Sequence, residues 1–268
     1  MTRDRRFPPR RTRRSRRNNA ITSSCPSCPS WFVPFVVIKT GTNTLQDTTV
    51  DNSILFTNVL SGGSNVAILS SSLSFVAPTT NAFYNSLGGV TSNIVTGPVT
   101  SSMLAGVDLF LSSLPDHAFT SDEVAALSEF LSRGGTAFLL GDNQNALFTE
   151  SNAAINSLVA DLGGTMTIVG PDFDHGVHTT TDIVSDPLTA GVNVISYAAP
   201  SIVLGGNALV RGSAGQTFIA YENTPVSVPE PSTFSLLLWG SLLGIGFVRG
   251  RHIALWLRHR DSAAPGSH

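Results

Sequence analysis

Phe130-Leu131-Ser132-Arg133-Gly134-Gly135-Thr136-Ala137-Phe138-Leu139-Leu140-Gly141-Asp142 decides the fold. It reads as the end of a helix, a two-glycine stop and a continuous apolar run closed by Gly-Asp. Upstream, Thr120 can cap a helix, and Glu123 three residues on completes a capping box. Val124, Leu127, Phe130 and Leu131 recur at helical spacing on one face. Arg133 sits in the last turn, where a cation meets the negative end of the helix dipole. Gly134-Gly135 ends the helix. The run 136–140 has no polar alternation, which predicts a strand buried on both faces of a parallel sheet.

The pattern extends both ways. Downstream, a second helix is expected over 150–162, closed by Gly163-Gly164, then a strand over 165–169. Upstream come a short helix over 51–60, a strand over 65–70 and a helix over 79–87. Strands over 92–95 and 107–111 follow. Strands alternating with helices predict an α/β domain with crossover connections. After 170 the pattern changes to a turn at 185–192 and strands over 193–197, 202–204, 208–211 and 217–221.

The 130–142 stretch resembles the helix, Gly-Gly, strand, Gly-Asp core of the class I glutamine-amidotransferase-like superfamily, over about residues 60–222. The likeness is to its non-catalytic branches, found in gliding-motility transport auxiliary proteins and intraflagellar transport proteins. It implies a flavodoxin-like, doubly wound, mostly parallel sheet with extra C-terminal strands. Catalytic members place a cysteine in a Gly-x-Cys-x-Gly elbow after this strand. Here Gly141-Asp142-Asn143-Gln144-Asn145 stands there, so that chemistry is not expected.

Charge divides the chain into segments. Nine of the 16 basic residues lie in 1–17, and Lys39 is the one lysine. Between Gly41 and Glu230 stand 16 acidic residues and two arginines, a formal charge of −14. Such a core lacks the basic footprint of a nucleic-acid binder. The expected divisions are a basic, low-complexity head (1–47), the α/β domain (48–222), a linker (223–233), an apolar helix (234–248) and a basic tail (249–268).

The last part of the chain has three elements in order. Val228-Pro229-Glu230-Pro231-Ser232-Thr233 is stiffened by its prolines. Residues 234–248 carry no charge, and Arg249 and Arg251 follow. As a helix, those 15 residues would be about 22 Å long, short of the ~30 Å core of a bilayer. The arginines would keep the end of the chain in the cytoplasm. Together these elements resemble the PEP-CTERM sorting signal of Gram-negative bacteria. The resemblance implies export, transient insertion of the C-terminal helix in the inner membrane, and processing by an exosortase. The protein would then reach the cell surface or an exopolysaccharide matrix. The plainer alternative is an ordinary C-terminal anchor.

The head is harder to read. It suits the n-region of a signal peptide followed by the apolar run 31–38, interrupted by Pro34, or a misassigned start. The residues leave both open, and a nucleic-acid-binding arm is disfavoured by the export signal. Cys25 and Cys28 have no second pair with which to bind zinc.

In a doubly wound sheet, ligands bind beyond the carboxyl ends of the strands. That edge is expected to collect Ser70 to Ser72, Ser112-Ser113, Asp116-His117, Asp142-Asn143 and the loop holding Asp172, Asp174, His175 and His178. Two carboxylates and two imidazoles within seven residues could ligate a metal. The favoured reading is a solvated loop with no metal and no cofactor. No Gly-x-Ser-x-Gly elbow or phosphate-binding glycine loop is present. The expectation is a non-enzymatic domain. The competing one is an exported enzyme, hydrolase-like or metal-dependent, using Asp142, Asp174 and His175.

Overall fold

The computed structural model describes residues 35–41, 50–73 and 76–223. Its centre is a seven-stranded, mainly parallel sheet. The parallel strands are β1 (Phe35–Lys39), β2 (Asn65–Leu69), β3 (Thr91–Val95), β4 (Leu109–Ser113) and β5 (Thr136–Leu140). A hairpin of β10 (Asn207–Arg211) and β11 (Thr217–Asn223) adds antiparallel to β1. The order across the sheet is β10-β11-β1-β5-β4-β2-β3.

The interior strands are apolar on both sides because both sides are covered. Val37, Leu111 and Phe138 point into one core with Leu55 and Phe56 of α1 (Asn52–Val59) and Tyr84 of α2 (Ala77–Ser86). Ile38, Phe110 and Leu139 point into the other. There they meet Leu127 and Leu131 of α3 (Ser121–Ser132) and Ile155 and Leu158 of α4 (Thr149–Asp161). The strand 136–140 is buried at all five positions, as its unbroken apolar run requires.

The capping box forms as the spacing predicts. Thr120 Oγ1 accepts from Glu123 N–H, and Glu123 Oε2 accepts from Thr120 N–H at 2.9 Å. The two glycines after α3 do different work. Gly134 takes φ +90°, the left-handed conformation that ends a helix. Gly135 lies under the Phe130 ring, where a Cβ would come within 2.3 Å of ring carbons.

The structure corrects the reading in several places. Phe35–Lys39 is not part of a head outside the domain. It is the strand that joins the parallel sheet to the β10–β11 hairpin, paired over five residues on each side. A run such as Phe-Val-Val-Ile looks the same to hydropathy whether it is a buried strand or part of a signal peptide. The strand expected over 165–169 leaves the main sheet. It becomes β6 (Thr167–Val169), paired only with β9 (Ile202–Leu204). Val177–Thr180, expected as loop, is β7, paired with β8 (Ile195–Ala198). The strand expected over 107–111 runs from Leu109 to Ser113, and just before it the Asp108 carboxylate accepts from Ser64 and Asn65 N–H.

Among the described residues no helix is long and apolar enough to cross a membrane. The sorting motif, the helix over 234–248 and the flanking arginines lie outside the described residues.

Candidate functional site

The carboxyl edge of the sheet holds two groupings of functional side chains. The first comes from β1 and β5. Their parallel register sets Lys39 opposite Leu140, and Gly141 N–H donates to the Lys39 carbonyl at 2.9 Å. Asp142 follows directly. Gly141 is needed here, since a Cβ would come within 2.6 Å of Asn152 Oδ1 and Ile168 Cδ1. The Asn152 side chain then fixes the turn. Its Oδ1 accepts from Asp142 N–H at 3.1 Å, and its Nδ2 donates to the carbonyls of Asp142 and Asn143 at 3.0 and 3.2 Å.

Lys39 is completely buried. Its Nζ donates to the carbonyls of Thr40 and Gly41 at 3.3 and 3.2 Å and lies 5.8 Å from the centre of the Phe218 ring. Burial pushes the ammonium down to about 7, against an opposing pull from the Asp142 charge. Asp142 is also buried, and that burial raises its carboxyl above the usual range. The Asn143 N–H, which donates to Oδ1 at 2.8 Å, and Lys39 act in the other direction, while Asp172 adds to the rise. Lys39 and Asp142 make no direct ion pair; they act on each other through a low-dielectric interior. A lysine that loses its proton near neutrality has the chemistry of a nucleophile or base. This one is closed off by the carbonyls of the next two residues and an aromatic ring.

The loop of 172–178 divides its candidates. Asp172 is half-buried and adds its charge to the environment of Asp142. Asp174 adopts φ +49° and turns its carboxylate elsewhere. Oδ2 accepts from Tyr197 O–H at 2.6 Å and from Ser213 N–H at 2.9 Å, and Ser213 Oγ donates to Oδ1. Burial works to raise this carboxyl, but the bonds from Ser213 and Tyr197 outweigh it and hold it below the usual range. His178 stacks on Tyr197 at 6.0 Å, and its Nε2 lies 2.9 Å from the His175 carbonyl oxygen. The His175 imidazole is exposed.

Asp174 and His175 share no hydrogen bond with Asp142, and Asp174 is occupied in tying β8 to the β10–β11 turn. Among the described residues, no three His, Cys, Asp or Glu side chains are placed to hold a metal ion.

The second grouping lies at the carboxyl ends of β2 and β4. Ser70, Ser71, Asp116 and His117 were expected at this edge, and they line one cleft of about 290 Å³ with Phe119. A groove of about 370 Å³ opens at the opposite, amino edge. Its charged groups are spent, Arg133 on Glu129 at 2.8 Å and Asp108 on backbone N–H groups.

Sequence reasoning missed Lys39. One signal pointed to it: a solitary lysine directly after four apolar residues, in a chain otherwise without lysine.

No protein-family model matches this chain, and no curated protein matches it. Among solved structures, an mmIFT52 N-terminal domain matches with 13% identity and a TM-score of 0.45. The match covers 60% of this chain and 86% of that one.

Proposed function

We propose that this protein is an exported cell-envelope or matrix protein, delivered by a C-terminal PEP-CTERM signal that an exosortase recognises. Its α/β domain acts as a binding or structural module. The observation that carries the reading is the three-part tail: Val228 to Ser232 with its Pro-Glu-Pro core, the uncharged 234–248 run, and Arg249 and Arg251. The acidic core, nearly free of lysine, agrees with a secreted protein that does not bind nucleic acid. We read the domain as flavodoxin-like. With β1 set aside, the parallel strands follow the order 2-1-3-4 of that fold, and the N-terminal β1 takes the fifth place.

The non-enzymatic reading is supported at the turn after β5. Where catalytic members of the superfamily it resembles carry a cysteine nucleophile, this chain has Asn143, whose N–H donates to Asp142 and whose carbonyl accepts from Asn152. Its nearest amine is enclosed.

The test is fractionation of the native host with and without its exosortase. With the enzyme, the protein should leave the inner membrane for the cell surface or exopolysaccharide. Without it, a membrane-bound form should accumulate, and Glu230→Ala should behave alike. Unchanged release in both cases would defeat the sorting reading.

A further inference from the structure

We propose that the cleft at the carboxyl ends of β2 and β4 binds a neutral, hydroxyl-rich ring of about the size of one pyranose. This deepens the binding reading of the domain and does not depend on export.

The topology opens the cleft. From β2 the chain runs outward to β3, then returns past β2 to form β4. The loops after β2 and β4 thus part in opposite directions, which is where open parallel sheets hold ligands. The volume of about 290 Å³ suits one small ring rather than a dinucleotide.

The lining selects the chemistry. Leu69, Pro98 and Phe119 supply apolar walls, and Ser70, Asp116 and His117 supply polar groups. A pyranose presents C–H groups on its faces and hydroxyls around its rim, which matches such a mixture. His117 is exposed and makes no hydrogen bond among the described residues. Asp116 is held in place by Ser72, whose N–H donates to Oδ2 at 2.8 Å and to Oδ1 at 3.0 Å, and whose Oγ donates to Oδ1 at 2.6 Å. Oδ2 keeps a lone pair for a ligand hydroxyl.

Anions are disfavoured. The cleft contains Asp116 and Glu123 but no lysine or arginine. The start of α3, which could otherwise hold a phosphate, is closed by its own capping box. Cations gain little, because Glu123 already accepts from Val99 N–H, Thr120 N–H and the Thr120 hydroxyl, and Asp116 is solvent-screened.

Two features mark this edge as more than a surface hollow. Leu114 is buried at φ +49°, a left-handed conformation unfavourable for leucine, directly before the Pro115-Asp116-His117 loop. Ser112 is fully buried with no partner for its hydroxyl, and it sits beside Leu69 in the strand register. Both lie in the segment that leads into the lining residues Pro115 to His117.

The experiment is saturation-transfer NMR on the full chain with methyl glucoside, galactoside and mannoside, alongside glucuronate and glucosamine. At least one neutral pyranoside should receive saturation, with glucuronate weaker. Phe119→Ala and His117→Ala should each weaken binding about tenfold, equivalent to 1.4 kcal/mol. Circular dichroism checks their folding, and His117→Ala, at an exposed position, carries the test if Phe119→Ala unfolds. The proposal is overturned if no neutral pyranoside binds, if both folded variants bind undiminished, or if glucuronate or glucosamine binds best. A failure of sorting would appear in host fractionation and leave this result untouched.

Discussion

Lys39 is the residue at which burial and charge conflict most. Unfolded it titrates near 10.5, and folded near 7. Between those values the unfolded chain holds the extra proton, so stability should rise with pH, by up to about 1.4 kcal/mol per unit. Below about 7 both states are charged and the folded state bears the whole desolvation cost. Asp142 has the opposite sign, because its folded carboxyl is raised above 3.8. In that acidic window the folded state holds the extra proton, and stability falls as pH rises. Lys39→Met should therefore stabilise the domain at pH 7, by about 1–3 kcal/mol, and flatten the alkaline slope. Urea midpoints from pH 6 to 10 measure both, and a wild type already flat over that range would sink the assignment. Asp142→Asn should leave the fold nearly intact but lower the Lys39 titration further, since the Asp142 charge is what raises it. NMR titration of the single lysine reads that shift directly.

At the scale of elements, the unit around α3 and β5 was legible because its signals are local. Thr120, Glu123 and the Gly134-Gly135 stop act within a few residues of themselves, and 136–140 carries its burial in its composition. Leu139→Asp would put a charge into a strand buried at every position, and should cost several kcal/mol, comparable to the whole stability of many domains. Soluble, cooperative unfolding of that variant would contradict the β5 assignment. Gly135→Ala tests a finer point: its Cβ would press on Phe130, so a loss of about 1–3 kcal/mol is expected by denaturant unfolding. A neutral result would mean that the ring moves aside easily. β6 and β7 were not legible in the same way. Thr167–Val169 pairs with Ile202–Leu204, and Val177–Thr180 with Ile195–Ala198, partners that local periodicity cannot specify. The 172–178 loop looked like a ligand cluster because Asp and His were close in sequence. Asp174 is instead engaged by Tyr197 and Ser213, far along the chain.

For the whole molecule, β1 constrains processing. Removing Phe35–Lys39 would separate the β10–β11 hairpin from the parallel strands and expose β5 along its length. Any leader peptide must therefore be cut before Phe35, which shortens the region in which an export signal can lie. At the other end, the Pro-Glu-Pro segment comes after Asn223, so a cut there leaves every described strand whole in sequence. Export with trimming at the C-terminal end and an intact seven-stranded sheet before it is the central claim. The measurement that tests it most directly is intact mass, with terminal sequencing, of the protein released by its native host. The account predicts a species that begins at or before Phe35 and ends near Pro229 to Pro231. A released species that retains Arg258, or one that lacks Phe35 to Lys39, would contradict it.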